Sequence, residues 1–307
     1  MSSEQWLRKC TLLVSDKEGE GLDLSQLRIK FSVKRSDTQT PNMAEIRIYN
    51  LEEQTANRIK KEFSKVILQA GYESNFGVIF QGNIKQVYSG RENATDTFLD
   101  IIAGDGDLAY NFAIVNTTLA AGAGQSDQIN AAIGSMNGKG VSAGSVATSS
   151  TAKLPRGKVM YGMARDYLKQ SSESTDTTWS IQDGKVQFVP VTSYLPGEAV
   201  VLTAKTGMVG TPTQTNEGVN VKCLLNPKLK IGGRVQLDNE NIARLKINLS
   251  QPGSPANIPA PITDDGVYYV LVIEYQGDTR GQEWYSTITC LNLDVTANPI
   301  NAVQVGY

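Results

Sequence analysis

Catalysis needs side chains that can move protons, donate electron pairs or hold metals. In this chain of 307 residues one class is missing altogether, with His 0. Without imidazole there is no Ser–His or Cys–His nucleophile pair, no imidazole general base, and none of the usual zinc or non-haem iron sites. Any catalysis would rest on carboxylates, Lys or Tyr. The cysteines, Cys10, Cys223 and Cys290, are far apart and form no CxxC pair. An odd, dispersed set reads as buried thiols on strands, not as a disulfide framework or a structural metal site. Gly134, Gly138, Lys139 and Gly140 outline a phosphate-binding loop. Too few residues separate Gly134 from Gly138, and Gly140 stands where a Ser or Thr would hold Mg²⁺. A flexible loop is the better reading. Asp105 and Asp107 sit between glycines but lack the further ligands of a calcium loop, so they read as a turn at a strand end. Asp264, Asp265 and Gly266 read as a turn into Val267. No constellation supplies nucleophile, base and orienting group together. The sequence therefore calls for no enzyme, no cofactor and no metal.

The composition narrows the partners. Lys+Arg 29 against Asp+Glu 31 gives a net charge of -2, too balanced to wrap nucleic acid through its overall field. Hydrophobic residues at 40% and charged residues at 20% mark a folded, globular chain. The longest apolar run, Val267 to Ile273, is far short of the ~20 residues a membrane helix needs. The first residues have no signal-peptide pattern, so a soluble protein made in a reducing cytoplasm is expected.

The elements that would position any site are mostly strands. Leu27, Ile29, Phe31 and Val33 alternate with polar residues, as do Ala44, Ile46 and Ile48. Similar patterns cover Cys10–Val14, Lys65–Tyr72, Val78–Tyr88 and Thr97–Ile102, interrupted by a short helix over Glu52–Phe63. Short antiparallel strands cannot leave their edges open cheaply, so closure into a small barrel is expected. Residues 120–153 are dominated by Ala, Gly, Ser and Thr, which bury too little to make a core alone. Within and after them the spacing predicts a short helix over Ser126–Ile133 and a clearer one over Val159–Leu168. A hairpin follows, turning at Asp183 and Gly184. The last third returns to strands at Ala199–Thr203, Val219–Leu225, Arg234–Leu237, Ala243–Leu249, Val267–Gln276 and Trp284–Leu291, with a proline-rich excursion over Gln251–Pro261. The chain thus reads as mainly β with a small α+β insert. The divisions fall at 1–107 (first β-barrel), 108–197 (insert with a mobile small-residue loop, centred on Gly138–Ala152) and 198–307 (second β-barrel).

The order of these segments carries a resemblance. The run from Leu27 through Pro41, Asn42, Ile46 and Ile48 to Leu51, then Val66–Tyr72 with Gly71 and Ile79–Ile84 with Gly82, looks like the N-terminal barrel of phage baseplate hub proteins. In the last third, Gly207, Gly210 and Pro212 lead into Val219–Leu225, Asn226 and Pro227, then Gly232 and Gly233, then Gly266–Gly277 and Trp284. This is similar to hubs of contractile-tail phages and, more remotely, to the hub half of type VI secretion spikes. In this sequence Gly71, Gly82, Gly207, Gly210, Pro212, Asn226, Pro227, Gly232 and Gly233 read as turns and strand breaks, which are structural roles. The resemblance implies two tail-tube-like barrels in each chain and a homotrimer that presents six barrels to a six-fold tube. It implies as partners the tail spike protein, the tail tube or tube-initiator protein, the tape measure and the baseplate wedge proteins. It implies a place in the virion baseplate, without specific nucleic-acid binding or stable membrane insertion. Two other classes stay open. One is a receptor- or carbohydrate-binding tail protein, using an aromatic cluster of Tyr268, Tyr269, Tyr275, Trp284 and Tyr285. The other is a carboxylate-based cell-wall hydrolase.

Overall fold

The fold is a computed structural model that describes residues 6–16, 19–147, 152–245 and 259–293. Among the described residues strand outweighs helix, 48% against 17%, so the fold is mainly β with few helices. The first segment contains β1 (Arg8–Ser15), β2 (Gly21–Asp23), β3 (Ile29–Ser36), β4 (Met43–Tyr49), α1 (Glu53–Glu62), β5 (Lys65–Tyr72), β6 (Asn75–Arg91) and β7 (Thr97–Gly104). The middle holds α2 (Asp107–Phe112), β8 (Ile114–Leu119), α3 (Gln125–Asn137), β9 (Ser142–Val146), β10 (Lys158–Met163), α4 (Ala164–Ser174), β11 (Thr177–Gln182) and β12 (Lys185–Pro190). The last part holds β13 (Val200–Val201), β14 (Met208–Gln214), β15 (Val219–Leu224), β16 (Arg234–Gln236), β17 (Val267–Asp278) and β18 (Trp284–Leu291).

Alternation sets the inner faces. In β3, Ile29, Phe31, Val33 and Arg35 are buried while Lys30, Ser32 and Lys34 face water. β18 alternates in the same way. The two β regions do not close into separate barrels. They share one 13-stranded sheet in the order β14-β15-β18-β17-β3-β4-β7-β6-β5-β1-β2, with β16 pairing β17 and β13. The link is an antiparallel ladder from Val272↔Ser36 to Asp278↔Lys30, which joins β17 to β3. Pairing across the two regions satisfies the edge of β3 that barrel closure would otherwise have had to cover. Sequence patterning marks strand faces and not strand partners, so this joining was not legible.

One apolar cluster runs through both β regions, from Leu12 to Ala103 and from Leu202 to Cys290. A second, built from Ala109 to Phe188, belongs to the middle segment alone. There the structure departs from the periodicity. The expected helix over Val159–Leu168 begins only at Ala164, because residues 159–163 form an antiparallel ladder with β8, from Val159↔Thr118 to Met163↔Ile114. A long-range strand partner overrides a helical spacing that rests on few residues. α3 extends beyond the expected Ser126–Ile133 in both directions. Part of the expected loop, Ser142–Val146, is a strand running parallel to β12, whereas 148–151 lie outside the described residues. The expected strand Ala243–Leu249 is represented by a single bridge from Ala243 to Thr213. Its residues 246–249, and most of the Gln251–Pro261 excursion, also lie outside the described residues.

Candidate functional site: a buried joint between three segments

The inward alternation of β3 puts a guanidinium where a fourth apolar residue would stand. Arg35 is 2% exposed. Its Nη1 donates to the Ile79 carbonyl at 3.2 Å, and its Nη2 to Gln182 Oε1 at 3.1 Å and Asp183 Oδ2 at 3.0 Å. Gln182 returns a bond from Nε2 to the Ser36 carbonyl at 2.9 Å, and Asn42 Nδ2 donates to Gln182 Oε1 at 2.8 Å and the Ile181 carbonyl at 3.0 Å. Asp183 Oδ2 also accepts from Lys230 Nζ at 3.4 Å. The hairpin of β11 and β12 is thereby tied to both β regions.

Two carboxylates complete the joint. Asp105 accepts the backbone N–H groups of Asp183 at 2.6 Å and Gly184 at 2.8 Å. Asp183 and Gly184 are both left-handed, with φ 54 and 71, as the expected hairpin turn requires. Asp37 accepts from the Thr178 hydroxyl at 2.8 Å, the Ser180 hydroxyl at 3.3 Å and the Tyr269 hydroxyl. Burial pushes Asp105 up to about 7, against the pull of the two N–H donors and Arg35. Burial likewise raises Asp37, over the opposition of its hydroxyl partners. Burial would also raise Asp183, but Arg35 and Lys230 outweigh it and hold the group below the usual carboxylate range.

The sign for Asp105 follows directly. Its folded form holds the proton more tightly than the unfolded chain does. The contribution to stability is therefore full below the ordinary carboxylate value, ~3.9, and is lost as pH rises through about 7. Thermal unfolding at pH 5 and pH 8 should show the higher melting temperature at pH 5. Asp105→Asn should flatten that slope even if its own midpoint is lower. An unchanged slope would remove Asp105 as the titrating group.

A second contact zone joins the β regions on another side. Trp284 is 1% exposed, its Nε1 donates to the Gly71 carbonyl at 3.1 Å, and it packs edge-on against Phe31 at 5.5 Å between centroids. Asn75 Nδ2 donates to Asn226 Oδ1 at 2.9 Å, and Pro227 packs against Gly77. Gly71 has φ +154, and a Cβ there would lie 2.1 Å from the Asn75 carbonyl oxygen. Gly71→Ala should therefore destabilise by more than ~1 kcal/mol, read as a drop in the midpoint of denaturant unfolding.

Of the positions singled out in the sequence, Gly71, Asn226 and Pro227 meet at this zone. Gly82 backs onto Gly104 in the β6–β7 ladder. Gly207 follows the 3₁₀ turn Ala204–Thr206. Gly210 and Pro212 lie in β14 at the end of the sheet. Gly232 packs against Leu195, and Gly233 donates back to the Lys230 carbonyl at 3.0 Å. The aromatic cluster weighed for carbohydrate binding is not a surface feature. Tyr268, Tyr269, Tyr275 and Trp284 are all buried, and Tyr285 is half-buried beneath Lys222. Asp105 was read as a turn residue and is also the carboxyl that holds the next hairpin. Arg35, Asp37, Asn42 and Gln182 were missed. Continuing the Ile29–Phe31–Val33 alternation by one step would have placed Arg35 inward.

Burial pushes the Cys10 and Cys223 thiols up to about 12 and Cys290 higher still. Among the described residues no group of three or more His, Cys, Asp or Glu could hold a metal ion, and no helix is long and apolar enough to cross a membrane.

The fold is that of phage tail proteins. It superposes on the 43 kDa tail protein of prophage MuSo2 from Shewanella oneidensis with a TM-score of 0.57 at 7% identity, covering 92% of this chain and 97% of that one. It is similar to the tail protein from Neisseria meningitidis MC58, with a TM-score of 0.58 at 7% identity over 94% and 97%. It also matches the E. coli c3393 protein, a type VI secretion component described as similar to T4 tail proteins gp27 and gp5, with a TM-score of 0.51 at 10% identity over 86% and 73%. Residues 181–242 match the family model described as Baseplate hub gp41. That stretch starts in the hairpin held by Arg35 and runs through Asn226, Pro227, Gly232 and Gly233. No curated protein sequence matches the chain.

Proposed function

We propose that this chain is the structural hub of a contractile-tail baseplate, a homotrimeric adaptor between a hexameric tail tube and a trimeric central spike. The observation that carries the reading is the β3–β17 ladder. It joins strands of the first and last thirds in one sheet, and Arg35, Asp37 and Asp105 tie the β11–β12 hairpin to them, which supports two β modules held together in one chain with the insert against both. Two tube-like modules per chain become six in a trimer. One face of such a ring matches the six-fold tube, while the other keeps the three-fold symmetry of a spike. The hub-type segment at 181–242 and the fold shared with a type VI secretion component support the same assignment. The partners are the spike protein and the tube or tube-initiator protein, with the tape measure and wedge proteins as neighbours. The role is mechanical, without cofactor or catalysis, in the virion baseplate. Particles assembled without this chain should lack both spike and tube. Complete, infectious tails in its absence would refute the hub role.

A further inference from the structure

The insert carries an apolar face that is exposed among the described residues. β8 and β10 form a two-stranded sheet of their own. One side of it is buried through Val115 and Met160. The other side presents Ile114, Asn116 and Thr118 opposite Met163, Tyr161 and Val159, with no charged residue among them. Val159 is 72% exposed, Tyr161 74%, Ile114 55%, and Phe112, just before β8, 61%. A two-stranded ribbon is marginal in water by itself, and large apolar groups exposed together mark an interaction surface. The Tyr167 hydroxyl accepts from the Tyr161 N–H at 2.9 Å and occupies the outer edge of β10 at that point. A partner at this point therefore meets the face of the ribbon and does not extend its sheet.

We infer that the outer face of the β8–β10 ribbon, with Phe112, is the insert's contact with a neighbouring copy of this chain. The inference rests on the three-copy reading above. The absence of charge is the character of a permanent interface between identical chains, whereas transient partners meet through more polar surfaces. The area points the same way. At these exposures the four side chains leave on the order of 400 Å² of apolar surface, about half of one partner's share of a standard interface. The patch is too small to make a stable complex alone. A ring neighbour adds the remaining area from the β regions beside it.

The test places a photo-reactive benzoylphenylalanine at Tyr161 in the full chain, mixed with its spike partner and irradiated. The expected result is a covalent product between two copies of this chain, with both cross-linked peptides drawn from its own sequence. Cross-links only to the spike, tube or another protein would overturn the inference. In parallel, the double variant Val159→Lys with Tyr161→Glu is compared with wild type by light scattering. A trimeric wild type and a monomeric variant that keeps the wild-type far-UV circular dichroism support the inference. If the variant stays trimeric, the inference fails and the three-copy reading stands. A wild type that stays monomeric with its spike overturns both.

Discussion

Replacing Arg35 with methionine is expected to destabilise the protein by about 3–5 kcal/mol, read as a shift in the midpoint of denaturant unfolding. The size follows from what is left behind. Asp183 lies beside the guanidinium at 3.0 Å, Gln182 Oε1 loses two of its donors, and the Ile79 carbonyl loses its side-chain donor. Asp183 keeps Lys230 at 3.4 Å, but the buried acceptors left without the guanidinium, and the void where it packed, cost more than the pair contributed. The loss should also be local. Contacts through Asp37 and Asp105 persist, so the insert loosens before the sheet does. Proteases should then cut near the β11–β12 hairpin in the variant while the 13-stranded sheet remains protected. A loss below ~1 kcal/mol would mean that Arg35 is not the central clamp.

Trp284→Ala is the second large effect, about 3–5 kcal/mol. The indole is 1% exposed and fills space between β3 and the β5–β6 turn, where it meets Phe31 edge-on and bonds the Gly71 carbonyl. Truncation leaves a cavity against the ring of Phe31 and a carbonyl without its side-chain donor. Trp284→Phe keeps most of the packing and loses only the hydrogen bond, so its cost should be nearer ~1 kcal/mol. Comparing the two variants by denaturant unfolding separates packing from polar pairing at the same position. Equal costs would contradict a packing role.

Much of the fold was legible from alternation alone. Leu27–Val33, Ala44–Ile48 and Val219–Leu225 announce strands because each has one wet face, and the structure sets strands there from Ile29, through Ala44–Ile48, and over Val219–Leu224. The Asp183–Gly184 turn was legible because few residue pairs accept two left-handed conformations. What pairs with what was not. The ladder between β3 and β17 joins residues more than two hundred positions apart, and a period of two is indifferent to the partner's identity. Val159–Met163 were misread for a related reason. Met160, Met163 and Ala164 satisfy a helical spacing, but β8 offered hydrogen bonds that local spacing cannot foresee.

The joint was harder still. Its members, Arg35, Asp37, Asn42, Asp105 and Gln182, are ordinary polar residues in sequence, and only burial makes them clamps. Asp105 resembled a turn because it is one; its second duty, holding two N–H groups of a distant hairpin, exists only in three dimensions. The glycines and prolines behaved differently. Gly71 was legible as a special position, yet the reason became visible only with the Asn75 carbonyl in place.

The central claim is that one chain supplies two rigidly paired β modules to a hub of three. Native mass spectrometry of the hub bound to its spike counts the copies directly. Three copies of this chain for each trimeric spike is the predicted result. Six copies, or a single copy, would contradict the account.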